Sequence, residues 1–410
     1  MINWRLKIRS VRPIGLDIGH NSIKMLQLVI KDEHISVLAT EKATIDPDIN
    51  GDWEQRRRFV VLTLKQMLTE GSFHGRNVVS CLPNDALKMT SLRLAETEMD
   101  QIEQILQKEA AQRFGLDPEK DAIKHVLAGN VRQGDEVKTE LILFAADSRT
   151  IKTHISMLEE SGLKPVGVDV VPCALFRNFE RLMRRHEDKE RTVIFIDVGG
   201  KFTTLVFGRG SDICFVKQIP IGAEIFNQQV AAKLGISPKE AEMLRLKLQL
   251  EKVQQFEPVS EAISQNPSAQ DGQPTTEQQS QTDSFDPSTR QLMVDAISSV
   301  AEQLAKEVSL CFRYYTVTFR GRRVERVILA GGGANENILL DVLRRQLALE
   351  IEVAEPLRGF DLMNMNIDSD RRGLFCEWAV AVGLSLKGWS GTPVQEPAIL
   401  DSVGFTKELE

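Results

Sequence analysis

The sequence predicts an α/β protein of two duplicated halves, with a small α+β module inserted into the first. Three observations carry that prediction. Thr192–Ile196, a nearly all-apolar run of β-formers, meets Asp197, then Gly199 and Gly200, and a second β-rich run follows from Thr203 to Phe207. This is a β-hairpin whose tight turn carries a carboxylate and bare backbone. Shifted by 180 residues, Ile14–Leu26 repeats it: Asp17 falls on Asp197, Gly19 on Gly199 and Ile14 on Ile194. Polar side chains follow in both copies, Asn21, Ser22 and Lys24 in one, Lys201, Thr203 and Thr204 in the other. Between the hairpins lies a block ordered strand–helix–strand–strand–helix–strand, the order of a compact α+β unit.

In chain order, Met1–Pro13 is basic, with Ile2, Trp4, Leu6 and Ile8 alternating. It reads as an edge strand or frayed terminus, or else as a weak contact with an anionic membrane surface. No signal peptide is expected before the first hairpin. Glu33–Ala43 continues the sheet as a strand. Trp53–Glu70 has helical spacing and stops at Gly71, and Asn77–Leu82 is a strand ended by Pro83. The inserted block follows: strand Leu87–Leu94, amphipathic helix Glu98–Arg113, strands Ala122–Gly129 and Thr139–Ala145, and helix Ser148–Glu160 with a cap at Asp147/Ser148. Val166–Val171 returns to the first half, and Pro172–Arg185 closes it as a helix.

After the second hairpin come a strand at Ile213–Ile219, a helix at Ile225–Leu234 and another from a Ser237 cap to Leu250. From Glu251 to about Arg290 the chain turns to Gln, Ser, Thr, Pro, Glu and Asp. Such a segment buries too little apolar surface to offset its ordering entropy and is expected to be a disordered insertion. A long helix resumes over Gln291–Tyr315. A buried strand, Arg326–Ala330, runs into Gly331–Gly333, and a helix (Glu336–Leu347) and a strand (Glu350–Val353) follow. Phe375–Leu386 is a small-residue helix expected to lie close against a neighbour, and the tail is rich in Pro and Gly. The expected domains are 13–83 with 167–190, the inserted module 84–166, 191–219 with 310–390, and a helical subdomain 220–309 containing the insertion 251–290.

The chain has 410 residues, 42% hydrophobic, and no span approaches the ~20 apolar residues of a membrane helix. A net charge of −7 argues against nucleic-acid binding by bulk electrostatics. The basic clusters Arg56–Arg58, Arg184–Arg185, Arg322–Arg323 and Arg371–Arg372 read as solvated faces. Five scattered cysteines without ligand spacing read as reduced core residues of a cytosolic protein. His20, beside the first hairpin turn, reads as an incidental loop residue.

Glycine at a turn lets backbone N–H groups approach phosphate oxygens, because no Cβ intervenes. A carboxylate in the same turn would repel phosphate unless a hydrated Mg²⁺ stood between them. Two such turns clamp a triphosphate from both sides. Ser22, Thr203 and Thr204 supply short polar contacts, and Lys24 complements charge. Gly331–Gly333 offers a third close-approach surface, suited to a flat base. It is not a dinucleotide fingerprint, since Glu336 stands where the last glycine belongs, and no Walker A motif occurs.

These motifs together resemble the actin/Hsp70-like ATPase superfamily and, within it, the PilM family of cytoplasmic type IV pilus assembly ATPases, also known as competence proteins. GLDIGHNSIKMLQL resembles that family's start, and residues 219–248 resemble its IPxGG…LGISxxEAExLK signature. VVSCLPNDALKMTSLRL and GLKPVGVDVVPCAL resemble the two edges of its inserted subdomain. The resemblance implies an actin-like fold of duplicated RNase H-like domains that binds ATP and Mg²⁺. Asp17, Gly19, Ser22, Asp197, Gly199, Gly200, Thr203 and Thr204 would hold the metal and phosphates, Asp17 and Asp197 being the metal ligands. Glu242 and Arg245 would meet ribose and adenine, with Gly331, Gly332 and Gly333 against the base.

The resemblance further implies a scaffold of the pilus inner-membrane platform. Its partner is the N-terminal cytoplasmic peptide of a PilN-like membrane protein, held beside residues 84–166, with other platform proteins as further partners. Three departures stand out. Phe202 replaces a Ser/Thr, the 251–290 insertion is long, and Val171 stands before Pro172 where actin-like ATPases place a Glu that acts on the attacking water. Asp169 shares the strand face of Val171 but is no obvious substitute. Slow hydrolysis at most is expected. An FtsA-like filament-forming ATPase and a sugar or acetate kinase are the alternatives; the acidic tail disfavours the first.

Overall fold

β1 (Arg9–Val11), β2 (Ile14–Ile18), β3 (Ser22–Lys31), β4 (His34–Thr44), α1 (Trp53–Glu70) and β5 (Asn77–Cys81) open the first half. The chain then leaves for β6 (Lys88–Ala95), α2 (Ile102–Phe114), β7 (Ala122–Gln133) and β8 (Glu136–Ala146). It returns through α3 (Ser148–Glu160), β9 (Lys164–Asp169) and α4 (Val171–Glu180). The second half comprises β10 (Thr192–Val198), β11 (Thr203–Arg209), β12 (Asp212–Ile219), α5 (Ala223–Leu234), α6 (Pro238–Gln254), α7 (Pro287–Thr318), β13 (Val324–Ala330), α8 (Asn337–Leu347), β14 (Ile351–Val353) and α9 (Ala379–Ser385). The structure is a computed structural model that describes residues 9–31, 34–181, 183, 190–254, 285–319, 323–363, 365 and 375–389.

The halves repeat one plan. Hydrogen bonding orders the sheets β4-β3-β2-β5-β9 and β12-β11-β10-β13-β14, each an antiparallel meander followed by two parallel strands. β1 extends the β2 side of β3, pairing Arg9 with Lys31, so part of the basic N-terminus is an edge strand; residues 1–8 lie outside the described residues.

Each half ends in a helix that lies on the other half's sheet. α4 crosses to β11, where Phe179 stacks on Phe195 at 5.2 Å, and Gly208 leaves room for the Phe176 ring. α9 lies on β2 and β3, and a Cβ on Gly15 would come within 2.0 Å of the Ala381 carbonyl oxygen. The two helices then meet at Gly383, where a Cβ would sit 1.8 Å from the Ala174 carbonyl oxygen. This contact is what the small residues of α9 are for.

β6, β8 and β7 form a separate sheet with two buried faces. Side chains alternate along a strand, so on β8 Leu141, Leu143 and Ala145 face α2 while Ile142 and Phe144 join the core of the second half. Arg93 and Glu140, opposite each other on β6 and β8, share that second face. Arg93 Nε is 2.7 Å from the Glu140 carboxylate, Tyr314 of α7 donates to Glu140 at 3.3 Å, and Arg93 donates to Thr318 Oγ1 at 3.1 Å. The module therefore leaves from the first half and docks on the second.

Several boundaries move. α3 does not belong to the inserted sheet: its Met157 and Leu158 join the core over Ile14, Leu16 and Ile23. α7 runs unbroken through the expected 309/310 boundary, starting at Pro287 with Asp286 capping Ser288 and Thr289. α6 continues to Gln254, so the expected insertion shrinks from both ends; residues 255–284, like the tail 390–410, lie outside the described residues. The closing helix stops at Glu180. All five cysteines are buried.

Candidate functional site

Asp17 stands near the end of β2, and the antiparallel register sets it opposite Lys24 of β3. Asp197 holds the same place on β10, opposite Thr204 of β11. In both turns the glycine two residues on donates its N–H across the loop, Gly19 to the Ser22 carbonyl at 2.9 Å and Gly199 to the Phe202 carbonyl at 3.0 Å. The repeat in sequence is thus a repeat of register and hydrogen bonding.

The two turns touch. A Cβ on Gly200 would lie 2.8 Å from both Asn21 Oδ1 and His20 Cβ. Gly331, at φ 86°, closes a third side: a side chain there would strike Asp197 Oδ1 and the Val198 carbonyl, each at 2.5 Å. Gly333 abuts Val198 in the same way, whereas Gly332 faces open space. Of the three glycines, two serve close approach to the second hairpin, and only the middle one offers room to a ligand.

The electrostatics of this junction are unusual. Lys24 Nζ is 3.6 Å from Asp17 Oδ2 and donates to Ser22 Oγ at 2.9 Å. Burial raises the Asp17 carboxyl above its ordinary range, with Lys24 opposing the rise. Burial pushes Asp197 up to about 7; the charge of Asp17 adds to the rise and Lys24 again opposes it. Two carboxylates thus share one lysine in a poorly hydrated place, an arrangement that a cation would relieve. Among the described residues no group of three or more His, Cys, Asp or Glu side chains could hold a metal ion. The pair suits a hydrated Mg²⁺, which takes one or two carboxylates and keeps waters.

The remaining expected residues divide. Thr203 and Thr204 are fully buried. Thr203 donates to the Ile221 carbonyl at 2.6 Å, which ties down the approach to α5 and differs from the expected ligand contact. Thr204 Oγ1, a buried polar atom opposite Asp197, has no partner among the described residues. The Gly199 and Gly200 carbonyls accept from Ala223 and Glu224, seating α5 on the turn. Arg245 is buried on α6, bonded to Ala223 and Asn227 of α5 and to Glu336, with Nε unpartnered among the described residues. Glu242 is half-buried and makes no hydrogen bond or ion pair among the described residues.

Two residues near the turns were misread from sequence. Arg56, expected on a solvated face, donates to the Gly19 carbonyl at 2.7 Å and the His20 carbonyl at 3.2 Å, propping the first turn. His20 Nε2 lies 3.4 Å from Glu224 Oε2, so this loop histidine links the first turn to the start of α5. Of the departures, Phe202 gives the turn its carbonyl and stands under Lys201, 5.6 Å from the ring centre. Val171 is buried in the first turn of α4. Asp169 is fully buried and held by Arg177 at 2.9 Å and Lys387 at 3.3 Å, so it is committed elsewhere.

The family of the type IV pilus assembly protein PilM matches residues 15–265 and 277–389. The chain belongs to this family. Among similar solved structures, a PilM–PilN type IV pilus biogenesis complex is 19% identical, with 92% of this chain and 98% of that chain covered and a TM-score of 0.70. The ethanolamine utilization protein EutJ from Carboxydothermus hydrogenoformans is 13% identical, with 92% of this chain and 90% of its own covered and a TM-score of 0.50. At such identities the likeness carries the fold, which is actin-like. Among curated proteins none matches. No described helix of this PilM-family chain is long and apolar enough to cross a membrane.

Proposed function

We propose that this PilM-family chain is an ATP-binding scaffold of type IV pilus assembly, working at the cytoplasmic face of the inner membrane and binding the N-terminal peptide of a PilN-like membrane protein. The observation that carries the reading is the pair of matched hairpins, whose aspartates occupy the same register position and together leave two half-buried carboxylates with one lysine. Mg²⁺ held through Asp17 and Asp197 would neutralise phosphate charge and fix the triphosphate's orientation. Gly19, Ser22, Lys24, Gly199, Gly200 and Thr204 line the phosphate side; Gly332, Glu242 and Arg245 line the nucleoside side, with Gly331 and Gly333 seating that turn on the second hairpin. Position 171 carries no acid, and Asp169 is locked by two cations, so no side chain there orients an attacking water and turnover is slow. The similarity to a PilM–PilN complex supports the partner, and the family resemblance implies a peptide site beside residues 84–166.

Calorimetry with Mg²⁺–ATP, together with capture of a synthetic PilN-like N-terminal peptide by the full chain, tests the reading. Wild-type protein binds both, and Asp17→Ala and Asp197→Ala lose nucleotide affinity at least about tenfold. A wild type that binds the nucleotide no better than Asp17→Ala and captures no peptide would sink it.

A further inference from the structure

Arg245 and Glu336, ninety-one positions apart, form an ion pair in which both side chains are buried. The Arg245 terminal nitrogen donates to Glu336 Oε2 at 3.0 Å, and the same oxygen accepts from Gln249 Nε2 at 3.0 Å. The other terminal nitrogen reaches Asn227 Oδ1 and, at 3.2 Å, the Ala223 carbonyl. Phe226 lies against the guanidinium with its ring centre 5.0 Å away. Among the described residues Arg245 Nε–H has no partner, although Arg245 is only 6% exposed.

The pair joins two parts of the site. Glu336 closes the triple-glycine turn, its N–H donating to the Gly333 carbonyl at 3.2 Å, and Gly331 of that turn abuts Asp197. Ala223, which accepts from Arg245, donates its own N–H to the Gly199 carbonyl at 2.9 Å. A buried ion pair adds little net stability over an apolar substitute, so its value lies in the geometry it fixes. An unpartnered buried N–H calls for an acceptor that the described residues do not supply.

We propose that Glu336 is a positioning residue for the nucleoside half of the site, holding the Arg245 guanidinium so that its free Nε–H meets an acceptor on the bound nucleoside, a ring nitrogen or a ribose oxygen. The inference rests on the nucleotide-binding reading. Glu336 acts through Arg245 and touches no phosphate, so its loss separates the two halves of the ligand.

The test is calorimetry of the full chain with Mg²⁺–ATP and with Mg²⁺–tripolyphosphate. Glu336→Gln, which keeps the side chain's shape, weakens ATP binding about tenfold, the share of one charge-assisted hydrogen bond. It leaves tripolyphosphate binding undiminished. Glu336→Asp, which keeps the charge but withdraws it, behaves alike and serves if the glutamine variant folds poorly. Asp17→Ala loses both ligands. Unchanged ATP affinity in both Glu336 variants overturns the inference alone. Parallel loss of both ligands with a lowered melting temperature also overturns it, as a structural role. If the wild type binds neither ligand, the nucleotide reading falls and this inference with it.

Discussion

Asp197 is a site carboxyl whose chemistry departs far from that of the free residue. With its carboxyl near 7, it is mostly protonated at pH 6 and mostly ionised at pH 8. Only the ionised form suits a divalent cation, so Mg²⁺–ATP affinity rises across that range, and calorimetry at several pH values should show Asp197→Asn flat. The same shift acts on the ligand-free protein with the opposite sense. A native carboxyl titrating above its unfolded value of 3.8 binds more protons than the unfolded chain between about pH 4 and 7, so its contribution to stability falls as pH rises through that window. Arg56 is the second residue to test. Arg56→Ala removes bonds to two turn carbonyls from a half-buried site and should cost about 1–3 kcal/mol in denaturant unfolding, with weaker nucleotide binding. The aspartates were legible in the sequence because an acid beside glycine between two apolar runs is a local pattern. Arg56 and Glu336 were not, because their partners are a backbone oxygen and a side chain far along the chain.

The same limit holds for elements. Periodicity marks nearly every helix and strand, and the capping side chains Asp52, Asp147 and the Ser237/Glu240 pair mark helix starts. It does not say that the last helix of each half lies on the other half's sheet. The sign of that exchange was a helix of small residues with no assigned neighbour. Gly383→Ala drives a Cβ into the Ala174 carbonyl oxygen at 1.8 Å and should cost about 2–4 kcal/mol by urea unfolding. Gly115→Ala, at φ 66° with open space beyond, should cost only about 1 kcal/mol. Equal costs would mean that the crossing has room to relax.

For the whole molecule, the two-half plan follows from one repeated hairpin, whereas the docking of the inserted sheet required the fold. A signal for it was present: residues 141–146 are apolar without interruption, the mark of a strand covered on both faces. The polar anchor of that docking is Glu140, 1% exposed, between Arg93 and Tyr314. Glu140→Ala leaves Arg93 and Tyr314 to find water and should cost about 1–3 kcal/mol. Amide hydrogen exchange should quicken in β7, β8 and the last turns of α7, while the first sheet stays protected. Uniform exchange across both halves would contradict a separate docking.

That docking alters the kinematics of the molecule. Two lobes joined only by crossing helices would swing about one axis, but here a third body is tethered to one lobe and seated on the other. The assembly is a closed linkage, in which the angle between the lobes and the seat of the module are one coordinate. A ligand that changes that angle does work on the module, and a peptide that wedges the module does work on the cleft. Thermodynamic reciprocity then sets the terms: whatever factor a bound peptide imposes on nucleotide affinity, the nucleotide returns to the peptide unchanged.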